Sequence, residues 1–299
     1  MTVVSFLKLS DTSGMAAADE RSTLYTGASE REVDVYQKIE VINGLMIGIS
    51  GRTDMAYEVI QRVKSSPEKT LVYGVALEAL RESYNSVRRR KFEENVTGKY
   101  GVTMDDIVHG RIGNEKLRGD LLSILENEAR AFTLSLIFGG YDGDTQRFRI
   151  TDIRYPGTCV NFDMYSCIGS GLDRADIVIS DALQSMTPAE RANIDRYVGA
   201  RILMSATRSA WRNVGVGGST TLMSSNKNKI EQLGREESNF LNAALFLEGR
   251  RILTRNYVGT LFRRIVNDGA KAEDLLSEIA EKVGEQNLRN LFFLRSLHM

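Results

Sequence analysis

The 299-residue sequence predicts an α+β protein in which two helical layers pack on antiparallel sheets. Three observations support this class. Segments of strand character and segments of helical character occur in separate blocks, whereas a parallel sheet requires them to alternate one by one. The dipeptide Asn43-Gly44 joins two apolar runs, which is a strong hairpin signal. Only 3 prolines occur, and 42% hydrophobic with 26% charged residues is ordinary for a folded chain.

The first fifty residues have strand character. Residues 3–9 are rich in β-branched and aromatic side chains, residues 10–14 form a turn cluster, and residues 15–23 are predicted as the second arm of a hairpin. Residues 38–42 and 45–50 flank the Asn-Gly dipeptide and form a second predicted hairpin.

Two predicted helices follow these strands. Residues 53–64 carry apolar side chains at helical spacing. Ser66-Pro67-Glu68 is a favourable start for the next helix, which we expect to end near residue 95. Residues 96–128 are mixed in character, and residues 114–130 within and beyond them have a helical pattern.

A second block of strands precedes two more helices and a last short strand. The predicted strands are 132–138, 147–153, 158–168 and 219–223, and residues 139–144 have the composition of a turn. One helix is predicted over 172–184, and another begins at Thr187-Pro188-Ala189-Glu190, which is a capping box with proline at the first helical position. The chain from residue 226 onward is mostly helical and charged.

Composition excludes several classes of protein. Lysine plus arginine equals aspartate plus glutamate at 39 each, so the formal net charge is zero and does not favour binding to nucleic acid. No run of 18 apolar residues predicts a membrane span, and the N-terminus lacks a secretory signal, so we expect a cytoplasmic protein. With 2 histidines, 2 cysteines and no phosphate-loop motif, no metal or cofactor is expected.

Short motifs then recur in a defined order along the chain. They are Thr2, Ala18-Asp19-Glu20-Arg21-Ser22-Thr23, Lys38-Ile39, Ser50-Gly51, Gly140-Tyr141-Asp142 and Ile168-Gly169-Ser170-Gly171. In this order and spacing they resemble the proteasome β-subunit and HslV family of N-terminal-nucleophile hydrolases, as a divergent homologue of the bacterial type. The resemblance implies a four-layer αββα sandwich over residues 1–225, with an insertion at about 96–130 and a helical C-terminal extension over 226–299.

The resemblance also implies a candidate site. Thr2, exposed by removal of Met1, would be the nucleophile, and its free α-amine would be the base, since an α-amine has an ordinary pKa of about 8. Lys38 would lower the pKa of that amine by charge repulsion, and Asp19 would hold Lys38. The Gly51 N–H would bind the oxyanion, and Ser170 would orient the amine. Arg21 and Asn213 are expected to support the site.

One departure from the family pattern concerns the residues that brace the N-terminal threonine. Asn213 stands where the family has aspartate, and Val216 stands where it has serine. Asparagine keeps hydrogen bonds without the charge, and valine keeps neither. The sequence therefore leaves open a slow site, a differently braced site and an inactive one. Each site residue also has a structural alternative: for Gly51 it is a role in the turn before a helix alone, and for Ser170 it is a simple N-cap.

The expected function is a threonine peptidase that cleaves unfolded proteins or peptides inside a ring of identical subunits. Relatives commonly work with an ATP-dependent unfoldase, and we expect neither nucleic acid nor membrane as a partner. Two alternatives are an amidohydrolase for small amides and an inactive ring scaffold. The basic run 88–91 is expected to be a solvated helix surface, with a partner or nucleic-acid contact as the alternative. The apolar residues 291–294 are expected to cover the core or to dock on a neighbouring subunit.

Overall fold

The computed structural model describes residues 2–26, 29–33, 37–65, 72–128, 134–154, 157–211, 217–227 and 229–284. The strands are β1 (Val4–Lys8), β2 (Ser13–Asp19), β3 (Ser22–Thr26), β4 (Ser29–Val33), β5 (Ile39–Ile42), β6 (Leu45–Gly51), β7 (Leu134–Asp142), β8 (Arg147–Arg154), β9 (Thr158–Phe162), β10 (Tyr165–Ile168), β11 (Thr220–Asn226) and β12 (Lys229–Gln232). The helices are α1 (Thr53–Lys64), α2 (Tyr73–Asn95), α3 (Met104–Val108), α4 (Glu115–Glu128), α5 (Leu172–Gln184), α6 (Pro188–Ala192), α7 (Arg196–Ala210), α8 (Arg235–Gly249), α9 (Arg255–Val266) and α10 (Ala272–Val283), with a 3-10 turn over Thr97–Tyr100.

Two five-stranded sheets form the centre of the fold. The first has the order β10-β1-β2-β11-β12, and the second has the order β5-β6-β7-β8-β9. Every strand pair in both sheets is antiparallel, and β3 and β4 form a separate two-stranded ribbon. The predicted α+β class with antiparallel sheets is confirmed.

The two sheets pack face to face because alternate side chains of each strand point to opposite faces. On β1, Val4 and Phe6 point toward the second sheet, while Leu7 points away from it. The core between the sheets consists of Val4, Phe6, Ala16, Ala18, Ile39, Met46, Ile137, Phe148, Ile150, Ile168 and Met223. The two sheets therefore share one apolar core.

Helices cover the outer face of each sheet. α1 and α2 pack on the second sheet through a core that includes Ile47, Ile49, Leu136, Phe138, Met55, Val59, Leu80 and Tyr84. α5, α7 and α8 pack on the first sheet, and α9 and α10 pack against α7 and α8. The five helices share a core with this sheet that includes Leu7, Met15, Ile179, Leu203, Leu241, Phe262 and Leu275. This arrangement is compatible with the predicted sandwich. Among the described residues, no helix is long and apolar enough to cross a membrane.

Glycines let the two sheets approach closely. The Phe6 ring lies over Gly48 and Gly139, where an added Cβ would come within 2.8 Å and 2.5 Å of ring carbons. The Phe148 ring occupies the corresponding position over Gly14, at 2.2 Å. Since real Cβ atoms essentially never make such contacts, these positions exclude any side chain.

Gly139→Ala should destabilise the protein by about 1–3 kcal/mol, because the added methyl group would overlap the fully buried Phe6 ring. The measurement is urea unfolding of both proteins. Gly143→Ala is the control in the same hairpin, because a Cβ there meets no atom within 4 Å. A Gly139→Ala variant as stable as the Gly143→Ala variant would contradict this packing.

The prediction that residues 139–144 form a turn is wrong for residues 139–142. β7 continues through Asp142, and the turn occupies residues 143–146. Gly139 and Gly140 are paired within the strand, and they are glycines because Phe6 and Leu45 occupy the space that a side chain would fill. The predicted single strand 158–168 is likewise two strands, since β9 pairs with β8 in the second sheet and β10 pairs with β1 in the first.

The capping box at Thr187 is confirmed, but the helix that it begins is short. The Thr187 side chain accepts a hydrogen bond from the Glu190 N–H, and the Glu190 side chain accepts from the Thr187 N–H. α6 ends at Ala192, and the Ile194 N–H donates to the Leu9 carbonyl at 2.8 Å. This bond to the end of β1 draws the chain out of the helix before α7 begins.

The other elements agree with the sequence to varying degrees. The predicted hairpin at Asn43-Gly44 is confirmed, and both residues have positive φ, at 50° and 79°. The predicted helix over 53–64 is α1, and α2 ends at Asn95 as expected. The β3–β4 ribbon was not predicted. The expected helix start at Ser66-Pro67-Glu68 lies outside the described residues, as do residues 285–299.

The predicted insertion and C-terminal extension contain regular structure. The 3-10 turn, α3 and α4 occupy most of residues 96–130. After residue 226 the chain adds β12 to the edge of the first sheet, which was not predicted, and then forms α8, α9 and α10. These three helices share one core with α5 and α7. The division of the chain at residue 225 stays a prediction.

Candidate functional site

Asp19 is a fully buried carboxylate at the end of β2. The antiparallel register of β1 and β2 places it beside Val3, whose N–H donates to Oδ1 at 2.7 Å. The Gly217 N–H, from the segment before β11, donates to Oδ2 at 3.2 Å. The residues that lead into β1 and β11 therefore supply backbone donors to the same side chain.

Lys38 supplies the charge that balances this carboxylate. It immediately precedes β5 in the second sheet, and its carbonyl accepts from the Ile49 N–H at 2.9 Å. Its Nζ lies 2.9 Å from Asp19 Oδ2 and also donates to the Arg21 carbonyl. Lys38 is only 2% exposed, so this ion pair joins the two sheets out of contact with water.

The electrostatics of the pair follow from its burial. Burial raises the pKa of the Asp19 carboxyl above its ordinary value, while the Lys38 ammonium and the two backbone donors act in the opposite direction. Removing one partner of such a pair leaves an uncompensated charge in the interior. The arrangement therefore fixes the position of the Lys38 ammonium.

Thr2 lies at the start of β1 and is held by its backbone. Its nitrogen donates to Ser170 Oγ at 3.1 Å, and its carbonyl accepts from the Gly171 N–H at 3.1 Å. Gly169 has φ +101°, and a Cβ there would lie 2.1 Å from the Thr2 carbonyl oxygen. Only glycine fits at this position, so the Gly169-Ser170-Gly171 loop encloses the Thr2 backbone.

Gly51 ends β6 with φ +108°, a conformation that favours glycine. Its neighbour Ser50 has its hydroxyl oxygen 3.2 Å from the point where a Gly169 Cβ would be. The end of β6 therefore lies against the loop that holds Thr2. Arg21 contacts Gly217: its backbone N–H donates to the Gly217 carbonyl at 3.1 Å, and its guanidinium lies over Gly217.

The structure thus brings five predicted site residues to one end of the sandwich: Thr2, Asp19, Arg21, Lys38 and Ser170. Gly51 lies on the strand end that contacts the Thr2 loop. Asn213 and Val216, the two departures from the family pattern, lie outside the described residues, as does Met1.

Several contacts at this site were not predicted from the sequence. The N–H groups of Val3 and Gly217 are backbone donors, and a backbone donor has no residue-type signature in a sequence. The sequence contained a signal for the close approach of Gly169 to Thr2, because the glycines on either side of Ser170 indicate a turn or a site of close backbone contact. Of the residues in that motif, only Ser170 was assigned a role from the sequence.

The basic run 88–91 does not belong to this site. Arg89 lies 2.7 Å from Asp105, Arg90 pairs with Glu58, and Lys91 lies 3.8 Å from Asp54. These acidic partners belong to the same helical layer, which agrees with the expected helix surface.

Comparison with known proteins gives a fold and no family assignment. No family model and no curated protein matches the chain. Among solved structures, a mutant of Anbu from Hyphomicrobium sp. strain MC1 matches with a TM-score of 0.56 and 14% identity. The match covers 85% of this chain and 97% of that one. Anbu is a proteasome-like protein, so the likeness supports a proteasome-like relationship at the level of the fold.

Proposed function

We propose that this chain is a proteasome-like threonine peptidase whose nucleophile is the hydroxyl of Thr2 after removal of Met1. The observation that carries the proposal is the buried Asp19–Lys38 pair at 2.9 Å, beside the strand end where the Thr2 nitrogen bonds Ser170. A buried ammonium is costly in a protein interior, and it needs a function or a strong structural reason. Raising the reactivity of a neighbouring amine is such a function.

The proposed reaction begins with proton transfer. The free α-amine of Thr2 accepts the proton of Oγ while Oγ attacks the substrate carbonyl carbon. The Gly51 N–H donates to the oxyanion of the tetrahedral intermediate. The α-ammonium then returns the proton to the leaving amine, which departs and leaves an ester on Thr2. Water, activated by the same amine, hydrolyses that ester and restores the enzyme.

Lys38 has an electrostatic role in this scheme. Its ammonium repels the protonated amine and so keeps the amine in its basic form near neutral pH. Asp19 fixes the ammonium through Oδ2 and receives the Val3 N–H through Oδ1, next in the chain to the nucleophile. Ser170 accepts a hydrogen bond from the Thr2 nitrogen and orients its lone pair toward Oγ.

The proposed substrates are peptides and unfolded proteins, and the proposed assembly is a ring of identical subunits that encloses the site. The proteasome-like fold supports both proposals. An ATP-dependent unfoldase is the proposed partner that would deliver substrates to such a ring. We propose residues 1–225 as the hydrolase domain and residues 226–299 as its helical extension.

A substrate panel tests the proposed class of substrate. We expect the purified full chain to cleave internal bonds of fluorogenic peptides and of an unfolded casein, and to leave small amides such as penicillins and glutamine uncleaved. Turnover of the small amides alone would replace the peptidase with an amidohydrolase. Turnover of neither group by protein that has lost Met1 would favour an inactive scaffold.

A further inference from the structure

The helix that follows the sheet, α8, contacts the candidate site through polar side chains. Three residues at helical spacing, Arg235, Ser238 and Asn242, face the segment that enters β11. Arg235 Nε donates to Ser219 Oγ at 3.4 Å, Ser238 Oγ donates to the Thr220 carbonyl, and Asn242 Nδ2 donates to Thr220 Oγ1 at 3.1 Å. One face of α8 is therefore hydrogen-bonded to two consecutive residues.

Those two residues are paired with the end of β2. Thr220 is the register partner of Asp19, and the Ser219 carbonyl accepts from the Glu20 N–H at 2.9 Å. The same segment begins with Gly217, whose N–H donates to Asp19 Oδ2. The contacts of α8 thus reach the Asp19–Lys38 pair through one strand.

Glu20 provides a second connection between α8 and the end of β2. The Glu20 carboxylate accepts from Thr221 Oγ1 at 3.0 Å and lies 3.3 Å from Arg235. Glu20 follows Asp19 directly, so α8 contacts both β2 and β11 at this point.

Burial makes these polar contacts informative. Ser238 and Asn242 are each 1% exposed, and Asn242 Oδ1 has no hydrogen-bond partner among the described residues. The rest of this helix face is apolar, with Leu241 and Leu245 in the core. Buried polar side chains are unfavourable for packing alone, and they fix geometry because their hydrogen bonds are directional.

We propose that Ser238 and Asn242 are positioning residues, which hold residues 217–220 in the register that keeps the Gly217 N–H on Asp19. The C-terminal helical segment then forms part of the support of the site rather than an independent attachment. The structural part of this inference concerns only how residues 217–220 are held. Its expected effect on catalysis rests on the proposed function.

The test uses Ser238→Ala and Asn242→Leu in the full chain, with Ser238→Thr as the conservative variant that keeps the hydroxyl. Thr207→Val is the matched control, because it removes a buried hydroxyl that donates to a backbone carbonyl, at 3.0 Å, elsewhere in the same core. The first readout is hydrogen exchange of the peptide that covers residues 217–227. We expect exchange about tenfold faster in Ser238→Ala and Asn242→Leu, and unchanged in Ser238→Thr and Thr207→Val.

The second readout is the pH profile of peptide hydrolysis. In Ser238→Ala we expect kcat to fall about tenfold with KM changed by less than about twofold, because chemistry and not binding is affected. The acidic limb should move to higher pH, because a less firmly held Lys38 lowers the pKa of the Thr2 amine less. Thr207→Val should show neither change.

Two results separate this inference from the proposed function. If exchange in Ser238→Ala equals that in Thr207→Val, the positioning role is wrong whether or not the protein is an enzyme. If exchange increases as expected but the chain has no Thr2-dependent activity, the positioning role stands and the proposed function fails. An active Ser238→Ala variant with an unchanged pH profile would overturn the catalytic consequence.

Discussion

Thr2→Ala should abolish peptide hydrolysis, with a loss of at least about 10³-fold in kcat, because it removes the only proposed nucleophile. The fold should be unaffected, since the hydrogen bonds of Thr2 to Ser170 and Gly171 use backbone atoms that alanine retains. The measurement is turnover of a fluorogenic peptide at saturating concentration, with the melting temperature recorded in parallel.

Thr2→Ser is the matched control for this variant. It keeps a hydroxyl and a small side chain, so Met1 should still be removed and activity should stay within about tenfold of the original. Equal turnover by the Thr2→Ala and the original protein would contradict the assignment of Thr2. Loss of activity in both variants would show that the hydroxyl alone is not sufficient and that the methyl group of Thr2 is also required.

Lys38→Met has the second largest expected effect, and it acts on both activity and stability. The rate should fall by about 10²–10³-fold, because the Thr2 amine is no longer kept basic by a neighbouring ammonium. The free energy of unfolding should fall by about 3–5 kcal/mol at neutral pH, because Asp19 is left charged and unpaired in the interior. Peptide hydrolysis and chemical unfolding measure the two effects separately.

The stability loss in Lys38→Met should depend on pH in a defined direction. Burial already raises the pKa of the Asp19 carboxyl, and removal of Lys38 removes an influence that lowers it. In the variant the folded state therefore binds more protons than the unfolded state, whose carboxyl has a pKa of about 4. Stability should consequently decrease as the pH rises from about 4 through the raised pKa. A loss that is greatest at acidic pH would contradict the account.

The double variant Asp19→Asn with Lys38→Met separates the two roles of the pair. Since no unpaired charge remains, it should recover a substantial part of the lost stability. It should not recover activity, because the ammonium is still absent. Recovery of both would mean that Lys38 serves the fold alone.

The sequence predicted most of the fold because the deciding signals were local. The Asn43-Gly44 hairpin and the helix α1 depend on turn chemistry and on apolar spacing within a few residues. The predictions that were wrong concern positions where a contact with a residue distant in sequence determines the local structure. Gly139 and Gly140 have the composition of a turn, yet they lie in a strand, where glycine is required because Phe6 and Leu45 approach them from elsewhere in the chain. Likewise, α6 ends early because Ile194 bonds Leu9.

The sequence predicted the side chains of the candidate site but not its backbone contacts. The resemblance indicated Asp19 and Lys38 as neighbours, and the structure has them at 2.9 Å. The backbone donors of Val3 and Gly217, and the support of Thr220 by Ser238, depend on strand register and on the packing of α8. Neither is encoded in a short motif, so these contacts required the three-dimensional arrangement.

The amine and the hydroxyl of Thr2 together form the proposed reactive centre. The measurement that tests it most directly is the intact mass of the purified full chain, before and after treatment with a peptide epoxyketone, which reacts with both groups. We predict a mass that lacks Met1 and a single adduct that maps to Thr2 and is absent in Thr2→Ala. A chain that retains Met1 and forms no adduct, or an adduct that maps to another residue, would contradict the account.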